Sequence, residues 1–135
     1  MDFTEIPMNA SYCCMRTALD QLRDDDSLLQ TAREQLATAV NHAKKYDLLL
    51  NSLYWKTAKP SVKRRVRADL DRLAFDAYSA FLDAGKTLNY YADSQAQQIP
   101  PRWWNTVICN LTLANTAFLR EHRFAIDHKQ LTLFH

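Results

Sequence analysis

Residues 27–56 read SLLQTAREQLATAVNHAKKYDLLLNSLYWK. Within them Leu29, Ala32, Leu36, Ala39, Ala43, Tyr46, Leu50 and Leu53 recur at alternating steps of three and four for nearly four heptads. That rhythm predicts one long amphipathic helix from Ser27 to about Lys56. Ser27 with Gln30 supplies a capping box at its start. Three alanines in the seam leave little side-chain bulk, so a neighbouring helix can approach closely along its middle. A helix of this kind is one wall of a bundle, and the flanking sequence has to provide the others.

Proline sets the outer boundaries. Pro7, Pro60 and the Pro100–Pro101 pair fall between periodic segments, and a proline inside a helix would cost about 3 kcal/mol. A short helix between Pro7 and the acidic run Asp24, Asp25, Asp26 carries Tyr12, Met15, Leu19 and Leu22 at helical spacing. A third helix begins near Ser61 and runs towards Gln95, with Val66, Leu70, Leu73, Ala77, Phe81, Ala84, Leu88 and Tyr91 as its seam. Phe75, Tyr78 and Leu82 lie off that seam, which widens the apolar arc enough to contact helices on two sides.

Pro101 suits the first turn of a fourth helix, with Trp104, Val107, Ile108, Leu111, Phe118 and Leu119 on one face to about His122. Beyond it, Phe124 with Ile126 and Leu131 with Leu133 alternate two by two, which predicts a hairpin or an extended tail over 124–135. Residues 1–9 form an N-terminal arm. The fold class is therefore all-α: a single-domain antiparallel bundle of about four helices, two or three of them long. Gly85 is the one glycine in 135 residues, so glycine-rich phosphate loops are excluded. Inside the third helix, it predicts a close helix crossing.

Three cysteines, two of them adjacent at Cys13 and Cys14, suit a reduced, cytoplasmic chain better than a disulfide framework. No apolar run is long enough to span a bilayer, and Asp2 and Glu5 stand where a secretory signal would carry basic residues. No membrane association is expected.

Charge is unevenly placed. Lys56, Lys59, Lys63, Arg64, Arg65, Arg67 and Arg72 crowd residues 56–72. Antiparallel helices would bring this basic elbow to one end of the rod, with Arg120, Arg123 and Lys129, and the acidic run to the other. Spacings of four link Arg65 to Asp69, Arg67 to Asp71 and Arg72 to Asp76, which would neutralise part of the elbow. Lys59, Lys63, Arg64 and Arg67 are its candidate partner-binding residues, facing an acidic protein surface or nucleic acid. A formal net charge of +2 argues against general coating of nucleic acid.

A second candidate surface is aromatic. Trp103 and Trp104 are adjacent and point about 100° apart on a helix. One of them is therefore free for an interface, or else staples the helix start to the neighbouring turn. Tyr90 and Tyr91 join them at the same end as an aromatic corner.

Catalytic signals are sparse. His42, His122, His128 and His135 have no companion residues at metal-ligand spacing, and no metal or cofactor is implied. Cys109 reads as packing. Arg123 and His128 stand in the order R-x-x-x-x-H, which resembles the signature of the HEPN superfamily of small all-helical ribonucleases. That resemblance implies metal-independent RNA cleavage across a dimer, with His128 as general acid or base at the 2′-hydroxyl and Arg123 holding the scissile phosphate.

The favoured expectation is a non-catalytic helical binding protein, an adaptor or inhibitor of the kind carried by bacterial mobile elements. Its partner would be a protein or a protein–nucleic-acid assembly. The apolar surface predicts a homodimer or hetero-complex. The alternatives are the HEPN-like ribonuclease and a nucleic-acid binder using the elbow.

Overall fold

Among the described residues five helices follow one another: α1 (Asn9–Gln21), α2 (Ser27–Leu50), α3 (Leu53–Lys56), α4 (Pro60–Ser94) and α5 (Pro101–Leu133). This computed structural model describes the backbone of residues 8–95 and 98–133, with side chains at all of these except 53, 54 and 123–133. No strand occurs among the described residues.

Local chemistry explains the boundaries. The Asp26 carboxylate, rather than Ser27, caps α2: its Oδ1 accepts from the Leu28 N–H at 2.8 Å and the Leu29 N–H at 3.4 Å. Gln30 reaches past it and donates to the Asp24 carbonyl at 2.7 Å. The expected capping box is therefore displaced by a stronger acceptor one residue earlier.

The long helix also ends sooner than expected, at Leu50 instead of near Lys56. In a straight continuation Trp55 would sit about 140° round from Leu50, away from the seam. The chain instead breaks at Asn51 and Ser52, and the single turn of α3 carries Trp55 into the core at 2% exposure. Its indole N–H donates to the Leu50 carbonyl at 3.2 Å, satisfying part of the helix end it interrupts.

α4 starts with Pro60 in its first turn and runs for 35 residues. α5 corrects the expectation of an extended tail, because its backbone stays helical to Leu133. Phe124 and Leu131, like Ile126 and Leu133, are seven apart, a spacing that two helical turns return to one face. Of the expected arm over 1–9, only its last two residues are described, and they belong to the bundle. Met8 is buried and Asn9 opens α1, while residues 1–7 lie outside the described set.

The four longer helices close a ring in the order α1, α2, α4, α5, each touching the next and α5 returning to α1. Hydrogen bonds fix the antiparallel sense. Arg33 on α2 donates to the Leu19 carbonyl at 3.0 Å and to the Leu22 carbonyl, closing the end of α1 against the start of α2. Trp103 Nε1 donates to the Gln21 carbonyl at 2.7 Å, placing the start of α5 there too. Between α2 and α4, the Thr87 hydroxyl donates to Gln35 Oε1 at 2.6 Å.

Ala32, Ala39 and Ala43 on α2, with Ala74, Ala77 and Ala84 on α4, are buried, and α2 against α4 is the most extensive seam of the bundle. Small side chains let these two backbones approach, as the sequence rhythm implied. No helix of the described residues is long and apolar enough to cross a membrane.

Candidate functional site

The ring places the α3–α4 elbow at one end and Asp24, Asp25 and Asp26 at the other. At the elbow the Lys59 carbonyl accepts from the Val62 and Lys63 N–H groups at 3.0 Å each, fixing the first turn of α4. That turn contains no acidic residue, so its cations sit at the positive end of the helix dipole without local neutralisation. Lys56, Lys59, Arg64, Arg65 and Arg72 are exposed, whereas Lys63 and Arg67 are half-buried. Of the four cations singled out from sequence, Lys59 and Arg64 therefore face solvent most fully. Arg72 leans back to Asp69 at 3.8 Å with both side chains largely solvated, a contact that contributes little. Arg120 on α5 is exposed and approaches Glu121 at 3.4 Å.

The aromatic corner forms only in part. Trp103 and Trp104 lie on the first turn of α5, wedged between α1 and α4. Arg23 stacks over the Trp103 ring at 4.3 Å from its centroid, and the indole N–H is used on α1. Trp104 packs on Tyr91 with centroids 5.7 Å apart. Each tryptophan thus finds a wall on a different helix, and both are half-buried. The expectation that one stands free gives way to the stapling alternative. Burial, with Asp26 and Asp25 nearby, raises the Tyr91 hydroxyl above its ordinary value, and Arg23 opposes this. Tyr90, 69% exposed, turns away from the corner.

Between α4 and α5 lies a feature missed by sequence reasoning. At one end Tyr78 and Phe81 of α4 meet Phe118 of α5 at 5.3 and 5.5 Å between centroids. At the other, Tyr91 meets Trp104. These two sets of rings prop the helices apart and leave an open groove of about 400 Å³ between them, with Gly85 on one wall and Ile108 and Leu111 on the other. A Cβ added at Gly85 would meet nothing within 4 Å. The close crossing expected at this glycine is therefore absent among the described residues.

A third cluster joins α1, α2 and α5. Asp47 accepts from the Met8 N–H at 2.7 Å. Burial and Glu121 push its carboxyl above the ordinary range, and the Met8 hydrogen bond pulls it down. Tyr46 precedes Asp47 on α2 and His122 follows Glu121 on α5, and the buried His122 ring stands edge-on to Tyr46 at 5.2 Å. A signal for its burial was present, since His122 continues the apolar steps Val107, Leu111, Ala114, Phe118.

Arg123 and His128 lie on helical backbone, and their side chains lie outside the described residues. Cys13 and Cys109 are exposed and Cys14 is half-buried, all as thiols. Among the described residues no group of three or more histidines, cysteines or carboxylates is placed to hold a metal ion.

No protein-family model matches the chain, and comparison with curated proteins and with solved structures gave no match. The resemblance at Arg123 and His128 therefore stands on its motif, and the functional argument on the surfaces described above.

Proposed function

We propose that the protein is a non-catalytic helical binding module, an adaptor or inhibitor, that docks its basic elbow on an anionic face of a protein or protein–nucleic-acid assembly. The observation that carries this reading is the set of four exposed cations, Lys56, Lys59, Arg64 and Arg65, around the start of α4, whose first turn holds no acidic residue. Exposed cations add little to folding, while a cluster of them raises the local concentration of an anionic partner. With a net charge of only +2, the attraction is local to this end.

The test is capture of partners from lysate, with and without nuclease, by the unmodified protein and by the triple variant Lys59→Ala, Arg64→Ala, Arg65→Ala. The expected result is a partner held at low salt, weakened by added salt and lost in the variant, with an unchanged helical signal. Nuclease resistance of the capture separates a protein face from nucleic acid. A variant that captures the same partner equally well at low salt would overturn the elbow as the docking surface.

Continuous helical backbone from 123 to 128 favours one second reading, the HEPN-like ribonuclease with Arg123 holding phosphate and His128 moving the proton. The binding reading expects RNA to survive incubation with the purified protein in chelator. Cleavage that disappears in Arg123→Ala or His128→Ala would favour the enzyme instead.

A further inference from the structure

The elbow offers charge without apolar anchorage. Lys56, Lys59, Arg64 and Arg65 are exposed, and none of them has an ion-pair partner among the described residues. Asp69, four positions beyond Arg65, is held by Arg72 at 3.8 Å instead. On the same exposed stripe of α4 the arginines are flanked by the small residues Ser61 and Ala68, at helical spacings of three and four. An anionic surface can therefore come down to the level of the guanidinium groups.

The exposed large apolar side chains among the described residues are Leu48, Leu82, Tyr90, Ile108 and Leu113, and none falls within 55–72. Inside the elbow Trp55 is 2% exposed, with its indole N–H engaged by the Leu50 carbonyl. Protein interfaces are built round desolvated apolar anchors, and lysine is depleted in them. Single strands of nucleic acid are gripped by stacking their bases on exposed rings. Neither device occurs among the described residues of the elbow. RNA duplexes are recognised partly through their 2′-hydroxyls, and residues 55–65 contain no amide or carboxylate side chain to accept from one. The backbone of duplex DNA needs none of these: its phosphate oxygens take Lys and Arg donors directly.

Resting on the role proposed above for the elbow, we infer that its anionic partner is the phosphate backbone of duplex DNA, held without regard to sequence. Lys59 and Arg65 are six positions apart, about 9 Å along the helix, and Lys56 extends the row across the elbow. At about 3.4 Å of duplex axis per phosphate on one strand, such a row meets about four phosphates. Contact this small is confined to one end of the bundle, in keeping with a net charge of +2. Four neutralised phosphates give log K a slope of about −3.6 against log salt, so that a fourfold rise in salt weakens binding about 150-fold.

Fluorescence anisotropy of the purified chain with a labelled DNA duplex of mixed sequence, followed over a salt series, tests the inference. The unmodified chain is expected to bind at low salt with a slope near −3.6, and a duplex of scrambled sequence to bind equally. The triple variant Lys59→Ala, Arg64→Ala, Arg65→Ala removes three of the four contacts, and its slope is expected to fall to about −0.9 with the helical signal unchanged. Absence of duplex binding at low salt would overturn the inference, as would a slope that the triple variant leaves unchanged. So would an RNA duplex or a single strand held more tightly than the DNA, or polyglutamate held as tightly at equal salt. Lysate capture then separates the two proposals: nuclease-resistant capture lost in the triple variant keeps the elbow and discards the duplex, whereas capture indifferent to that variant discards the elbow itself.

Discussion

Removing the Asp47 carboxylate while keeping its acceptor oxygen distinguishes two ways of holding α1 in place. α1 has no side-chain cap of its own. Its first N–H groups depend on the surroundings, and the Met8 N–H is served from α2 by Asp47 Oδ1 at 2.7 Å. Asp47→Ala deletes that acceptor, and loss of a helix-start acceptor costs about 1 kcal/mol. For 135 residues and an unfolding entropy of about 2.1 cal/mol/K per residue, that lowers the midpoint by about 4 °C. Asp47→Asn keeps a carbonyl oxygen for Met8 and discards the charge that burial and Glu121 disfavour.

The sign of the pH effect follows from the raised pKa. The folded chain holds the Asp47 proton more tightly than the unfolded chain, whose value is near the ordinary 3.8. Stability from this group is therefore greatest below that value and falls as pH rises through the raised one. Asp47→Asn should be at least as stable as the unmodified protein at about pH 7, and the gap should close towards about pH 4. Urea unfolding followed by circular dichroism, run on all three proteins across this range, reads the differences with other carboxylates cancelling. If Asp47→Asn is as damaged as Asp47→Ala at about pH 7, the charge itself, acting on the α1 dipole, is what holds the helix, and the reasoning fails.

Phe118 is fully buried against Tyr78 and Phe81. Phe118→Ala should cost about 3–5 kcal/mol in urea unfolding, and a loss under about 1 kcal/mol would show that the groove end is loosely packed. Burial pushes the Cys14 thiol up, so alkylation followed by mass spectrometry should modify Cys13 and Cys109 ahead of Cys14; equal rates would contradict the packing of α1 on α5.

The rhythm of Leu29, Ala32, Leu36 and Ala39 was enough to establish the second helix and its alanine seam, because burial there repeats every turn. Its end was not legible. Burial of Trp55 outweighs continuation past Leu50, and that competition depends on where the core lies. Phe124 with Ile126 and Leu131 with Leu133 alternate as a strand does, while the two pairs repeat at seven as a helix does, and only the continuous backbone of α5 distinguishes them. The charges of the elbow were plain in the sequence, whereas the half-burial of Lys63 and Arg67 depends on packing around the start of α4. Gly85 pointed to a crossing, but the rings of Tyr78, Phe81, Phe118 and Trp104 hold α4 and α5 apart, so none forms there among the described residues. Asp47 serving Met8 across 39 positions leaves no periodic trace.

The ring order has a consequence for how the chain is made. α1 is only 13 residues long, too short to persist alone in water, and α5, the fifth of these helices in chain order, forms one of its two walls. Translation first supplies α2 and α4, whose hairpin closes through nearby sequence, while Met15 and Leu19 wait with one side uncovered. The final docking joins Gln21 to Trp103, 82 positions apart. Closing so long a loop costs little more than closing one half its length, about 0.6 kcal/mol for each doubling, but the search can begin only once the start of α5 has been made. A ribosome stalled before Pro101 would therefore hold an unfinished bundle with an apolar face exposed, a substrate for chaperones rather than a smaller version of the fold.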